Sequence, residues 1–381
     1  MKKFNLSLLS ICFIVIICFF IACNNSEHKV QSKNEIELSK KEQLGKLLFF
    51  DENLSNPAGQ SCASCHDPKF GFADPDFNIP VSQGVIPQSR FGNRNTPTAA
   101  YASFSPDLHW DEEEEVYVGG QFWDGREKDI VEQAKGPFLN ILEMNNPDTI
   151  SLVIKVRNAA YAYMFDQVFG KGALNEIPNA FNNIAEAIGE YESSSELNQF
   201  SSKFDCQMEG NNIYTEQELL GLELFEAEDK GNCADCHPNT AGPYNSKPLF
   251  TDFTYDNLGT PKNPENPFYK IPLTFNPDGE NFIDYGLGAF LGKESEMGKV
   301  KVPTLRNVAM TPPYMHNGVF KTLHEVVDFY NTRDVKEWAS PEVEANMNAD
   351  ELGNLGLTDE EVDAIVAFME TLTDGYICGK K

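Results

Sequence analysis

Two copies of one short motif constrain this sequence more than any other feature. Cys62-Ala63-Ser64-Cys65-His66 and Cys233-Ala234-Asp235-Cys236-His237 both read C-x-x-C-H. In such a motif two thiols add to the vinyl groups of a porphyrin, and the adjacent histidine becomes an axial ligand of its iron. A C-x-x-C pair alone could be half of a zinc site or a redox disulfide, but here histidine follows both pairs directly. The motifs therefore predict two covalently bound haem c groups, with His66 and His237 on iron.

The N-terminal segment predicts export from the cytoplasm. Lys2 and Lys3 precede an apolar run over residues 8–22, and Cys23 follows a lipobox-like tripeptide whose first residue, Phe20, is untypical. We expect residues 1–22 to be a lipoprotein signal peptide, Cys23 to be acylated, and residues 23–37 to be a flexible tether. An uncleaved anchor is the alternative. Both predict a membrane-anchored protein in the periplasm or another extracytoplasmic compartment.

The charge of the chain limits its partners. Among 381 residues there are 30 Lys and Arg against 58 Asp and Glu, a formal net charge of -28. Such a charge argues against nucleic acid and favours basic or dipolar partners, although solubility alone would also explain it. The length fits two domains.

The two halves of the chain begin alike. Leu44-Gly45-Lys46-Leu47-Leu48-Phe49 precedes the first haem motif, and Leu220-Gly221-Leu222-Glu223-Leu224-Phe225 precedes the second. This repeat indicates duplication of a cytochrome c unit. We therefore predict a mainly α fold with two cytochrome c-like haem c domains, an N-terminal one over residues 38–203 and a C-terminal one over residues 204–381.

Three segments of the chain are expected to connect or complete these domains. Residues 194–210 are the predicted linker, and residues 238–301, rich in Pro, Gly, Asn and aromatic residues, are predicted to form long ordered loops. A capping box at Thr358 and Glu361 predicts a final helix. Cys206 and Cys378 remain outside the haem motifs. They suggest a disulfide in an oxidising compartment, but two buried free thiols are equally compatible with the sequence.

Further motifs surround the haem motifs in a fixed order. They are Arg94-Asn95-Thr96-Pro97-Thr98, Phe122-Trp123-Asp124-Gly125-Arg126, Glu132-Gln133-Ala134, Glu143-Met144, Val302-Pro303-Thr304-Leu305-Arg306-Asn307 and Pro313-Tyr314-Met315-His316-Asn317-Gly318. Over about residues 38–372 the chain resembles the bacterial di-haem cytochrome c peroxidase and MauG family. The resemblance implies an oxidoreductase whose first haem binds hydrogen peroxide, while its second haem passes on electrons from a small cytochrome c or cupredoxin. It also implies a homodimer.

The resemblance assigns roles around the first haem. Glu143 is the expected acid and base that moves protons of peroxide, and Gln133 is expected to position peroxide or water. The alternative makes Glu132 the active carboxylate and Glu143 a surface residue. Trp123 is the expected electron relay between the haems, unless it is only a core aromatic residue.

A calcium site between the haems is also implied. The Asn95 side chain and the backbone carbonyls of Thr311 and Pro313 match its ligand positions, and Ca²⁺ prefers such oxygen ligands. His316 is then expected near that ion rather than on iron.

Three positions depart from the reductively activated peroxidases or from MauG. Residues 67–94 contain no His or Met, and Val85 stands where a histidine would cap the first iron. Tyr330, fourteen residues after His316 (316 + 14), replaces a methionine ligand of the second iron, as in MauG. The alternative leaves Tyr330 as a packing residue and puts Met315 or another residue on iron. Gly231 stands where MauG has a surface tryptophan.

These departures predict a particular kind of enzyme. We expect a di-haem peroxidase that reduces hydrogen peroxide to water and whose first haem is open without reductive activation. The alternative is a MauG-like oxidase that modifies a protein or an organic substrate. A pure electron carrier is disfavoured, because it needs no acid or base such as Glu143 beside an open iron.

Overall fold

A computed structural model describes residues 37–85 and 90–379. The predicted signal peptide, Cys23 and all of the tether before residue 37 lie outside these residues. Within the described ranges, no helix is long and apolar enough to cross a membrane.

The described residues form ten α-helices and four short strands. The helices are α1 (Lys40–Phe49), α2 (Ile130–Leu139), α3 (Thr149–Arg157), α4 (Tyr163–Phe169), α5 (Ile177–Glu192), α6 (Lys203–Cys206), α7 (Glu216–Glu226), α8 (Gly286–Leu291), α9 (Leu323–Thr332) and α10 (Asp359–Glu370). The strands pair antiparallel as β1 (His109–Asp111) with β2 (Val116–Val118), and as β3 (Tyr255–Asp256) with β4 (Val300–Lys301). The mainly α prediction is therefore confirmed.

The repeated Leu-Gly pair is explained by two equivalent helix crossings. Helix α1 packs on α5, and helix α7 packs on α10. A Cβ atom on Gly45 would lie 1.8 Å from the Ala187 carbonyl oxygen, and one on Gly221 would lie 1.9 Å from that of Ala364. Only glycine lets the two helices approach this closely, so both halves of the chain use the same contact.

The apolar residues form two large clusters. The first contains Leu44, Phe138 and Ile184 around the first haem motif. The second contains Phe225 and Phe368 around the second motif. Leu249 and Phe253, which come after the second haem motif in sequence, belong to the first cluster. The domain boundary between residues 203 and 204 remains a prediction.

Much of the segment between the two haem units is buried, although residues 208–210 are exposed. Arg306 is fully buried, and its guanidinium binds the Asp205 carboxylate at 2.6 Å. Cys206, the next residue, is joined to Cys378 by a disulfide with 5.8 Å between the Cα atoms. The sequence left open whether Cys206 and Cys378 form a disulfide or stay free thiols. They form a disulfide, which joins the C-terminal segment to the segment between the haem units.

The C-terminal half combines long ordered loops with capped helices. Between residues 238 and 301 the chain forms only β3, α8, β4 and short 3₁₀ turns. Helix α10 begins at the predicted capping box, in which Thr358 Oγ1 accepts from the Glu361 N–H and the Glu361 carboxylate accepts from the Thr358 N–H. Helix α9 has an equivalent box at Thr322 and Glu325. These caps fix where each helix starts.

Candidate functional site

The two motif histidines are oriented in the same way. Nδ1 of His66 lies 3.0 Å from the Phe72 carbonyl oxygen, and Nδ1 of His237 lies 2.8 Å from that of Phe250. A proton on Nδ1 donates this bond and leaves Nε2 as the nitrogen that can bind a metal. Burial lowers the pKa of both rings, to about 4 for His237, although the carbonyls oppose the shift. Both imidazoles are therefore neutral, as metal ligands must be.

Each accepting carbonyl is held by an equivalent threonine. Thr98 Oγ1 donates to the carbonyl of the residue before Phe72 at 2.5 Å, and Thr304 Oγ1 donates to that of the residue before Phe250 at 2.5 Å. Phe72 and Phe250 both have left-handed backbones, with φ of 59° and 55°. The Pro-Thr pairs at residues 97–98 and 303–304 therefore support the histidine bond in both halves.

The four motif thiols fit covalent haem attachment better than a metal-thiolate site. None of them is in a disulfide. Burial raises the pKa of each, to about 12 for Cys65 and Cys233, so they are neutral thiols rather than thiolate ligands. In residues 37–85 and 90–379, no group of three or more His, Cys, Asp or Glu is placed to hold a metal ion. Two thiols with a neutral, correctly oriented imidazole are what a haem c requires.

A cavity lies beside the second motif. His237, Trp123 and Tyr330 all line it. Leu323, Val326, Val327 and Tyr330 of α9 face it with helical spacing, so Tyr330 belongs to the stripe that points into the cavity. Burial raises the pKa of Tyr330 well above its usual range, and the nearby Cys236 and Asp256 charges add to the effect. The phenol is therefore neutral, and a bound cation would have to displace its proton.

Trp123 is fixed on the wall of this cavity by two hydrogen bonds. Its Nε1–H donates to the Asn95 carbonyl at 2.8 Å, and its own carbonyl accepts from the Lys301 N–H at 2.8 Å. Asn95 belongs to the segment that also supports His66 through Thr98. Trp123 thus bonds to one segment through its indole and to the other through its backbone carbonyl.

Glu143 lies near the first motif. Its charge raises the pKa of both Cys62 and Cys65, so it lies within electrostatic range of these thiols. Burial raises the pKa of Glu143 itself, while Arg126 and a 2.8 Å hydrogen bond from the Asn140 amide oppose the shift. The residue is half-buried in the turn after α2.

Two polar residues of α2, Glu132 and Gln133, differ from Glu143 in their hydrogen-bond and ion-pair partners. Glu132, the alternative carboxylate, forms an ion pair with Lys135 at 2.7 Å, and its side chain is 36% exposed. Gln133 lies on α2 and is half-buried, and its side chain forms no hydrogen bond with other described residues. The Gln133 amide therefore keeps its donor and acceptor atoms available to a small polar ligand.

Val85 lies directly against the segment that carries Glu143. The Val85 N–H donates to the Glu143 carbonyl at 3.0 Å, and Val85 is buried. A Cβ atom on Gly84 would lie 1.9 Å from the Leu142 carbonyl oxygen, so this approach requires glycine. The aliphatic residue at the position of a capping histidine therefore packs beside the candidate acid-base residue.

The expected calcium ligands Asn95, Thr311 and Pro313, and His316, which is expected near that ion, all line the cavity that Trp123 also lines. Both ring nitrogens of His316 are buried without a hydrogen-bond partner among the described residues.

Sequence reasoning missed two charged groups at the haem sites. Glu192 is buried at the end of α5, burial raises its pKa to about 8, and it acts on the Cys62 thiol. Its spacing of four and eight residues from Ile188 and Ile184 was the available signal, because it places a carboxyl on the apolar face. Lys301 lines the cavity of the second motif. Lys301 directly precedes the Val302-Pro303-Thr304 motif. A lysine in a sequence is ordinarily expected to be exposed to solvent, so nothing there indicated its place in the cavity.

The comparisons with known proteins agree with this geometry. A family model described as di-haem cytochrome c peroxidase matches residues 39–213. The chain is 41% identical over 350 residues to methylamine utilization protein MauG of Paracoccus denitrificans, covering 87% of this chain and 88% of that protein. It is 32% identical over 332 residues to cytochrome c551 peroxidase of Nitrosomonas europaea, covering 87% and 79%. The crystal structure of the diheme peroxidase BthA from Burkholderia thailandensis superposes with a TM-score of 0.75 at 33% identity, covering 88% and 86%. This chain belongs to the di-haem cytochrome c peroxidase and MauG family, whose members carry two covalently bound haem c groups.

Proposed function

We propose that this protein is a di-haem c-type peroxidase that reduces hydrogen peroxide to water with electrons from a small redox protein. The observation that carries the proposal is Glu143, a half-buried carboxyl with a raised pKa beside the first haem motif. The relatives named cytochrome c551 peroxidase support it. A pure electron carrier would have no use for such a carboxyl.

The overall reaction consumes two protons and two electrons for each peroxide, H₂O₂ + 2 H⁺ + 2 e⁻ → 2 H₂O. A haem iron with a free coordination position supplies the redox chemistry. Glu143 accepts the proton of the incoming peroxide and returns it to the departing oxygen atom, which then leaves as water. Asn140 keeps the carboxyl oriented through its 2.8 Å hydrogen bond. Gln133, with both donor and acceptor atoms, orients peroxide or water.

Electrons from the donor would enter through the second haem and reach the first by way of Trp123. The indole is an oxidisable side chain held at both ends of the residue, by the Asn95 carbonyl and by Lys301. Such a fixed aromatic group shortens the distance that an electron has to cross between two separated porphyrins. We propose that Trp123 is this relay.

The first haem is proposed to be open without prior reduction. Val85 has no atom that can bind iron, and its backbone is bonded to Glu143. Residues 67–94 contain no His or Met that could bind the first iron in place of a capping histidine. Peroxide therefore meets no protein ligand that must first leave.

Tyr330 is the proposed far ligand of the second iron. Its place on the cavity-facing stripe of α9, in the same cavity that His237 lines, supports this role. An anionic oxygen ligand stabilises ferric and higher oxidation states relative to a thioether. The second iron would then be closed on both sides.

A MauG-like oxidase that modifies a protein or an organic substrate is the second candidate function. Tyr330 and the 41% identity to MauG favour it. Gly231 opposes it, because a Cβ atom there would lie 2.4 Å from the Leu224 carbonyl oxygen. A tryptophan at this position is incompatible with the present backbone, so a surface route of that kind is not available here.

The electron donor is proposed to be a small cytochrome c or cupredoxin with a basic contact surface. A surface cleft next to Cys236 is lined by acidic side chains, with Lys299 as the basic residue among them. The acidic residues are Asp111, Glu114, Asp235, Asp252, Asp256 and Glu351. Together with the net charge of -28, this cleft favours a positively charged partner near the second haem.

We also propose an extracytoplasmic, membrane-anchored location, with lipid on Cys23. The leader sequence supports it, and the Cys206–Cys378 disulfide suits an oxidising compartment. Cys23→Ser should release the protein from the membrane fraction while both haems stay attached. Retention of this variant in the membrane would contradict lipid attachment at Cys23. The homodimer remains a prediction of the family resemblance.

Calcium is proposed to bind at Asn95, Thr311 and Pro313. His316 supports the site, because burial lowers its pKa to about 4 and both nitrogens of the neutral ring lack partners. Such orphaned polar atoms point to an ordered water or an ion beside them. We expect dialysed protein to retain one calcium per chain by elemental analysis, and chelation to lower peroxide turnover reversibly. Protein free of calcium with full activity would exclude the site.

The proposed function is tested by steady-state peroxide reduction with a reduced basic cytochrome c and fully oxidised enzyme. We expect turnover from the first mixing, without pre-reduction, because no protein ligand blocks the first iron. Raising the ionic strength should slow the reaction by screening the acidic cleft. Turnover that appears only after pre-reduction would contradict the open first haem, and no turnover would contradict the peroxidase itself.

Matched glutamine variants identify the acid-base group within the same assay. Glu143→Gln should lower the rate of reaction with peroxide about 100-fold or more, because proton transfer by a positioned carboxyl is lost. Glu132→Gln removes a neighbouring carboxylate that pairs with Lys135 and should leave the rate unchanged. Since the base must be ionised, the wild-type rate should fall with decreasing pH through a pKa above 4.5, and Glu143→Gln should lack this limb. An equal loss in both variants would remove Glu143 from the mechanism.

A further inference from the structure

Lys301 is a cation without a counter-ion in the described structure. It is half-buried on β4, and its Nζ donates to the Gly120 carbonyl. No carboxylate of the described residues forms an ion pair with it. The nearest acidic group that acts on it is Asp124, which already binds Arg94 at 2.7 Å and Arg126 at 2.8 Å.

In this environment Lys301 keeps its positive charge only if an anion lies beside it. Burial lowers the pKa of Lys301 to about 7, although Asp124 opposes the shift. Lys301 lines the cavity beside the second haem motif, so a haem in that cavity removes the group from water altogether. An unpaired charge in such surroundings is unfavourable, and a partner of opposite sign offsets that cost. Two of the three N–H donors of the ammonium group remain free for that partner.

The cavity itself indicates what the anion is. A haem c is attached through its vinyl groups, here by Cys233 and Cys236, and through iron by His237. Its two propionate carboxylates take part in none of these bonds and need cationic or hydrogen-bonding partners. Among the residues that line the cavity, Lys301 is the only lysine or arginine.

We propose that Lys301 anchors a propionate of the second haem by an ion pair. Because the Lys301 N–H is bonded to the Trp123 carbonyl, the same residue connects the carboxylate edge of this haem to the backbone of the relay. Lys301 is then a cofactor-positioning residue that also keeps the second haem easier to reduce, since a cation opposes the ferric charge. The proposal requires haem in the cavity and is independent of peroxidase activity.

The test compares charge-removing and charge-keeping variants of the holoprotein. In Lys301→Met the equilibrium constant for reduction of the second haem should fall about tenfold, measured by spectroelectrochemical titration of both haems. The resonance Raman propionate bending band of that haem should shift as well. Lys301→Arg should keep both values near wild type. Lys321→Met, which removes an exposed lysine paired with Glu265 at 2.9 Å, should change neither.

The outcomes separate an anchor from a residue that only supports the backbone. Wild-type reduction and an unshifted propionate band in Lys301→Met would overturn the proposal. Loss of the second haem from Lys301→Met but not from Lys301→Arg would support it. If the Met variant does not accumulate, Lys301→Gln keeps a hydrogen-bond donor without the charge, and an unchanged potential and band in that variant would overturn the proposal equally.

Discussion

The hydrogen bond from each motif histidine to a phenylalanine carbonyl is the interaction on which the rest of the structure depends. It selects the imidazole nitrogen that is left for iron, and it ties each C-x-x-C-H motif to a segment distant in sequence. Thr98 and Thr304 hold the accepting turns in place. Together with the close helix crossings at Gly45 and Gly221, these bonds form two equivalent structural units, one around each haem motif, which we call frames. Duplication thus extends from the helix contacts down to single hydrogen bonds.

In the proposed mechanism the two frames differ in the groups available to each iron. Glu143, Gln133 and Val85 are the residues proposed for the first haem, a set with polar groups for a small ligand and no His or Met. Near the second motif lies Tyr330, on a helix whose cavity-facing stripe is otherwise aliphatic. One frame therefore suits a reacting haem and the other an electron-transferring haem. Trp123, bonded to segments from both frames, is suitably placed between them.

Much of this could be predicted from the sequence, because the haem motifs, the family motifs and the final capping box depend on local residue order. The mainly α fold and the family membership were predicted in this way and are confirmed. Contacts between distant segments could not be predicted. The Cys206–Cys378 bond depends on a Cα separation, and the burial of the linker depends on Arg306 reaching Asp205. Lys301 and Glu192 look like solvated charges in the sequence, and only the fold reveals that each lies at a haem site.

The central claim is that the first iron is open and the second is closed in the resting, fully oxidised protein. Low-temperature electron paramagnetic resonance of the ferric holoprotein tests this most directly, because spin state reports the number and strength of axial ligands. We expect one high-spin signal from the haem on His66 and one low-spin signal from the haem on His237. In Tyr330→Phe the low-spin signal should change while the high-spin signal stays. Two low-spin signals in the wild-type protein would contradict the claim, because a second protein ligand would then occupy the first iron.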